Sequence, residues 1–310
     1  MKTMLSRAMA LSAIIPSGQS REPSVPRWSM RSSQTVLDRA MILADYLKRI
    51  GFEGPVRPDL ETLNALHEAH VRAVPFENLD VHAERSVIFS VEAAYEQIVT
   101  RGQGGWCYEM NSLFGWVLSE IGFEVTRLAA GVRRASFGDE ALGNHLCLLV
   151  HLDSDHLVDV GFGSSQITGI SLDVAETLHR PFRMALTMRE DGYWRLHEGG
   201  WGSAMSYDFL AQAGDEALLA QRHHEQVTDP NSIFRKTLVA KIRRGRAYHA
   251  LRGCMLETNW PGRKETRVIE TADELLSVLD ELFGLTEPDM DRLWPAIQAR
   301  HRQLFPNTIR

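Results

Sequence analysis

Apolar residues recur at helical spacing along the first third of the chain. Val36, Leu37, Ala40, Met41, Leu43, Ala44 and Leu47 mark one face of a helix, and Gly51 ends the pattern. Pro55 and Pro58 then form a loop. Asp59 is placed to cap a second helix with Glu61 in its first turn, and Pro75 stops it. A third helical stretch starts at Ser90. The segment Gly102-Gln103-Gly104-Gly105 precedes a fourth, from about Cys107 to Ile121. After Gly122 the pattern changes. Residues 123–133, 144–152 and 156–160 are rich in Val, Leu and alternating positions and read as strands. Segments 182–188, 193–197 and 206–209 continue a β-rich middle. Residues 236–242 and 247–255 form a further strand pair across the basic turn Arg243-Arg244-Gly245-Arg246. Helical periods over 270–285 and 287–301 close the chain. Helices come first, then strands, then a mixed end, so an α+β class is expected and a doubly wound parallel sheet is not.

Composition narrows the class. A chain of 310 residues with 44% hydrophobic and 24% charged residues is an ordinary globular protein with a large core. It is not a collagen, a wholly disordered chain or a polytopic membrane protein. A net charge of −6 gives no electrostatic case for nucleic acid or for an anionic membrane surface. Cys107, Cys147 and Cys254 are the three cysteines, too few and too odd in number for a disulfide framework. A reducing, cytoplasmic setting is expected. Residues 1–35 carry Lys2, Arg7, Arg21, Arg27 and Arg31 against the one acid Glu22, with Pro16, Pro23 and Pro26. The apolar stretch at 8–15 is short and lacks a clear cleavage site, so a flexible leader is expected rather than a signal peptide.

The candidate chemistry centres on Gly104-Gly105-Trp106-Cys107-Tyr108-Glu109-Met110-Asn111. A cysteine stands where a glycine loop ends and a helix begins. The free N–H groups and dipole of a helix start favour a thiolate, the nucleophilic form of cysteine. Such a nucleophile needs a base, and the base needs an orienting partner. His145 lies in the strand at 144–150. Asp159 follows an apolar strand and precedes Gly161-Phe162-Gly163. A carboxylate among Leu, Val and Phe is costly unless paired, and an imidazolium is its natural partner. The two segments are expected to be adjacent antiparallel strands with a turn near Ser154-Asp155.

These residues resemble the arylamine N-acetyltransferase family. Its pattern is a glycine pair, an aromatic, Cys, an aromatic, Glu and Asn, then a His in a strand, then Asp-x-Gly-Phe-Gly. A further hallmark is present upstream as Val74-Pro75-Phe76-Glu77-Asn78-Leu79-Asp80. The resemblance implies a cysteine-protease-like Cys-His-Asp core in three parts. These are a helical bundle over 36–121, a β-barrel over 122–220 and an α/β lid over 221–310. It implies Cys107 as acyl acceptor, His145 as base and Asp159 as orienter, with Phe76, Trp106, Phe162, Gly163 and Phe234 around the acceptor. It implies a ping-pong transfer from acetyl-CoA, a co-substrate rather than a bound cofactor, to an aromatic amine, hydrazine or N-hydroxyarylamine. One position departs from the family pattern. Gln103 stands where an arginine usually precedes the glycine pair, so either Arg101 reaches the loop by another path or the loop is braced neutrally.

Other groups carry structural expectations. His67-Glu68-x-His70 is one residue short of the zinc-protease spacing, so no metal site is expected there. His223-His224 reads as a solvated turn, Cys147 as core packing near the site, Cys254 as a buried strand residue, and Arg243, Arg244 and Arg246 as a solvated hairpin. Three other readings stay open. They are an amide synthase that releases a carrier-bound acyl chain onto an aromatic amine, a cysteine hydrolase or transglutaminase, and a non-catalytic binding module.

Overall fold

The computed structural model describes residues 41–199 and 205–306. The expected leader over 1–35, and the start of the first helix at Val36, lie outside the described residues. That helix is described as Leu43–Arg49. Asp59 caps Leu60–Ala73 by accepting the Thr62 N–H at 2.8 Å, and Ser90 caps Val91–Tyr95 through the Ala93 N–H at 3.1 Å. The Cys107–Ile121 helix buries Met110, Leu113, Phe114, Val117 and Leu118 on one stripe and stops at Gly122, whose φ is 107°. Its buried face packs with the preceding helices into one apolar core.

The middle of the chain forms an eight-stranded sheet that curls into a nearly closed barrel. Its order is Ile170–Ser171, Asp155–Val158, His145–His151, Glu124–Val132, Met205–Phe209, Trp194–Gly199, Phe182–Met188, Glu176–His179. The register sets Ala130 opposite His145 and Leu148 opposite Val158. A second, five-stranded antiparallel sheet starts with the short strand Phe76–Glu77. It continues through Val239–Arg244, Ala247–Arg252, Met255–Trp260 and Arg263–Val268. The helices Ala272–Val278 and Met290–Leu304 cover it and complete a separate apolar core. Bundle, barrel and lid together make the α+β class. Among the described residues, no helix is long and apolar enough to cross a membrane.

Four local expectations are corrected. Lys236 ends a short helix, Ile233–Lys236, and the lid strand starts only at Val239. The strand expected over 247–255 is two strands, because Gly253 takes a φ of 59° and turns the chain. Cys254 therefore sits in a turn, although it is buried. The edge strand Arg263–Val268 gave no alternating signal because its first five residues are exposed. Residues 221–225 lie within a helix, Glu216–Thr228, capped by Asp215 through the N–H groups of Ala217 and Leu218.

Candidate active site

Cys107 opens its helix and is 2% exposed. His145 opens the strand His145–His151, and Asp159 lies just beyond Asp155–Val158. His145 Nε2 donates to Asp159 Oδ2 at 2.7 Å. The other carboxylate oxygen accepts from Asn111 Nδ2 at 2.8 Å and from the Gly161 N–H at 2.9 Å. Burial pushes the Asp159 carboxyl up, but His145 and Asn111 outweigh it and hold the carboxyl below its ordinary range. Burial likewise opposes charge on His145. The Asp159 charge and hydrogen bond overcome this, Cys107 adds to them, and the imidazole is pushed up to about 10. The Phe162 and Tyr207 rings close over His145, with centroids 5.4 and 4.9 Å from it.

Asn111 is a joint that its place in a motif did not explain. It lies one helical turn after Cys107 and is fully buried. Besides Asp159, its Nδ2 donates to the Leu146 carbonyl at 2.7 Å, while its Oδ1 accepts the Val160 N–H at 3.1 Å. One side chain thus ties the helix that Cys107 opens to the strand holding His145 and to the segment holding Asp159. Gly161 makes this approach possible. A Cβ there would stand 2.6 Å from both Cys107 Cα and Asn111 Nδ2.

The glycine loop is braced by Arg49, a residue that neither expectation included. Its Nη2 donates to the carbonyls of Gly102 and Gln103 at 3.1 and 3.2 Å, its Nε to Ile98 at 2.9 Å and its Nη1 to Ala73 at 3.0 Å. Arg101 instead donates to Gln97 Oε1 at 2.6 Å, and Gln103 Nε2 donates outward to Thr286 at 3.0 Å. Arg49→Met should leave these carbonyls short of a charged donor and lower unfolding stability by about 2–3 kcal/mol in urea titrations. Wild-type stability in that variant would show that the brace is redundant.

Among the described residues, Glu77 has no cation within 4.0 Å. It is 3% exposed and accepts the Leu79 N–H at 2.5 Å. Burial outweighs that bond and pushes it up to about 7. Glu109, which accepts the Trp106 N–H at 3.2 Å, is pushed up to about 8 by desolvation and then by the Glu77 charge. A folded carboxyl that titrates above its unfolded value favours folding while protonated. Its contribution is therefore lost as pH rises from 4.5 towards about 7. Glu77→Gln should remove that slope, so that variant stability relative to wild type improves by about 2–3 kcal/mol between pH 5 and pH 8. A gap independent of pH in denaturant titrations would show that Glu77 is ionised throughout.

The candidate acceptor residues fall into two groups. Trp106 is 1% exposed, with its ring centroid 5.0 Å from Tyr108, 5.2 Å from His223 and 5.1 Å from Phe234. Phe76 lies opposite Lys241 in register and bridges to Gly105, while Phe162 and Gly163 continue from Gly161 on the barrel side. Asn78 fixes the lid against them. Its Nδ2 donates to the carbonyls of Phe234 and Thr237 at 2.6 and 2.9 Å, and its Oδ1 accepts the Val239 N–H at 2.7 Å.

Two surface expectations fail here. His223 is not in a solvated turn; it is buried and stacked on Phe89 at 5.1 Å. Arg243 is 4% exposed and donates to the carbonyls of Ser164 at 2.6 Å, Ser165 at 2.5 Å and His179 at 3.0 Å. With Tyr248, whose hydroxyl donates to the Gly163 carbonyl at 2.8 Å, it clamps the loop after Asp159. His67 and His70 are fully buried, and burial pushes both down towards neutrality. Among the described residues, no group of three or more His, Cys, Asp or Glu could hold a metal ion. Cys147 and Cys254 are buried thiols pushed up by burial, Cys254 to about 11.

Known proteins resemble this chain in sequence and in fold. A family model described as N-acetyltransferase matches residues 59–289. The arylamine N-acetyltransferase of Mycolicibacterium smegmatis is 36% identical over 263 residues, covering 81% of this chain and 94% of that protein. The pineal gland isozyme NAT-3 of Gallus gallus, also an arylamine N-acetyltransferase, is 34% identical over 299 residues, covering 86% of this chain and 100% of its own length. The Mycobacterium marinum arylamine N-acetyltransferase structure in complex with CoA superposes with a TM-score of 0.75 at 30% identity, over 83% of this chain and 99% of that one. This chain belongs to the arylamine N-acetyltransferase family of acetyl-transferring enzymes.

Proposed function

We propose that the chain transfers an acetyl group from acetyl-CoA to the nitrogen of an aromatic amine or hydrazine, or to the oxygen of an N-hydroxyarylamine, through a thioester on Cys107. The observation that carries this reading is the buried His145–Asp159 pair beside a cysteine at a helix start. With Nε2 committed to Asp159, the remaining ring nitrogen serves Cys107. The thiolate attacks the acetyl-CoA carbonyl, and the C–S bond to CoA breaks as the His145 imidazolium gives its proton to the departing CoA sulfur. The amine nitrogen then bonds to the acetyl carbon, the C–S bond to Cys107 breaks, and the amine proton passes to His145. An aromatic amine is largely neutral near pH 7 and attacks without prior deprotonation.

Phe76, Trp106, Phe162, Gly163 and Phe234 are proposed to surround the acceptor ring. Phe162 supports this by its 5.4 Å approach to His145, and Phe234 by its contact with Trp106. Free Cys107, Cys147 and Cys254 fit a reducing compartment. The test is intact mass after brief exposure to acetyl-CoA without acceptor. One added acetyl group, discharged by an arylamine, is expected. No adduct would overturn acetyl-CoA as the donor and favour a carrier-bound acyl chain.

A further inference from the structure

A cavity of about 500 Å³ lies where the helix Met290–Leu304 meets the short helices Leu79–His82 and Ile233–Lys236. Arg292, Ala296, Ala299, Arg300 and Gln303 line it from the long helix. Their spacing puts all five on one face of that helix. Ala296 and Ala299 carry no long side chain, so the middle of the face stays low between Arg292 at one end and Arg300 at the other. Arg235 and Lys236 line the cavity from Ile233–Lys236. None of the residues placed around Cys107 is among the lining residues, so this cavity is separate from the site described above.

Cations outnumber acids in its walls. Arg235, Lys236, Arg292 and Arg300 stand against one lining carboxylate, Glu84, which pairs with Arg235 at 2.7 Å. Arg292 has Asp289 at 3.7 Å. Among the described residues, neither Lys236 nor Arg300 has a carboxylate within 4.0 Å. Neutral acceptors hold their heads instead. Lys236 Nζ donates to Asn231 Oδ1 at 2.7 Å, and Arg300 donates through Nε to Thr237 Oγ1 and through Nη1 to Gln303 Oε1, both at 3.0 Å. Arg292 Nη2 donates to the Ala83 carbonyl at 3.3 Å. Such partners fix a cation in place without neutralising it. Arg235 also keeps a buried donor, Nε, with no acceptor among the described residues. Charges of one sign along a concave wall focus the field and concentrate anions there. The whole chain carries −6, so this basic cavity runs against its general charge.

The number of cations selects the ligand. A lone carboxylate offers one charge and two acceptor atoms. Lys236, Arg292 and Arg300 call for more of both, and a phosphate group supplies about two charges and three oxygens that suit arginine donors. A cavity of about 500 Å³ holds one small molecule, not a duplex or a folded partner. We propose that this cavity binds a small anion of the diphosphate class, with its phosphate oxygens on Lys236, Arg292 and Arg300. The low floor at Ala296 and Ala299 lets the anion sit between the two ends of the helix face. The proposal is independent of the acyl-transfer reading above.

The test is calorimetry on the full chain at a constant ionic strength of about 0.15 M, with inorganic pyrophosphate and uridine diphosphate as probes. Saturable one-to-one binding is expected. Lys236→Gln and Arg300→Gln should each weaken it about tenfold or more. Ala299→Glu, which puts a carboxylate on the cavity floor, should abolish it. Ala299 is exposed, and a thermal melt checks that the variant stays folded. Tighter binding of uridine diphosphate would identify a nucleotide as the source of the phosphates, and tighter binding of pyrophosphate a free polyphosphate; either supports the site. No saturable binding of either probe by the wild type would overturn the proposal, and so would affinities unchanged in all three variants. CoA is the control, because it also carries phosphates. Its affinity should be the same in wild type and Ala299→Glu. A tenfold loss there would assign the cavity to the acyl donor and overturn the proposal.

Discussion

Cys107→Ala should yield a folded protein that takes no acetyl group from acetyl-CoA, with transfer to an arylamine reduced about 10^3-fold or more. The helix it opens is held by a full apolar stripe and by Asn111, so loss of one sulfur atom leaves the frame intact. No other thiol is poised to replace it. Cys147 is fully buried in the barrel core and its thiol is pushed up by that burial. Cys254 belongs to the lid core. Intact mass and steady-state rates, beside a thermal melt that shows the fold is retained, make the check. Activity within tenfold of wild type would move the nucleophile elsewhere, with Cys147 the first to examine.

Asp159→Asn should cost about 10^2- to 10^4-fold in kcat/KM, because the amide keeps the shape but not the charge that orients and ionises the imidazole. In the wild type, His145 is raised above 6.5 to about 10. Its contribution to stability is full below 6.5 and is lost as pH rises through about 10. Asp159 is lowered from 3.8, so its contribution is present above that value and lost as the pH falls below it. The pair is therefore favourable through the neutral range. Without the carboxylate, burial dominates at His145 and the ring becomes neutral there. Titration of the His145 ring by NMR and a pH profile of kcat/KM report this directly. An imidazole still charged at pH 8 in the variant would remove Asp159 as the source of the shift.

The elements nearest the chemistry were legible because their signals are local. Asp59 and Ser90 cap helices through N–H groups three residues away, and Gly122 ends the Cys107 helix with a φ only glycine adopts easily. His223 and Arg243 were misplaced for the opposite reason. Each sits among polar neighbours in sequence, and a polar run reads as solvent-facing. The surfaces that bury them come from afar: Phe89 and Trp106 for His223, and the 164–179 carbonyls for Arg243.

The sequence by itself determined the order of helices and strands, the family, and the identity of the Cys107, His145 and Asp159 candidates, since residue type and short spacing carry that information. Tertiary structure alone decided that Asn111 joins three segments, that Arg49 braces the glycine loop beside Gln103, and that burial pushes Glu77 up to about 7. It alone set Lys241 opposite Phe76. These pairings cross up to more than half the chain. Strand register and core packing choose them, and neither is encoded within any short window of sequence.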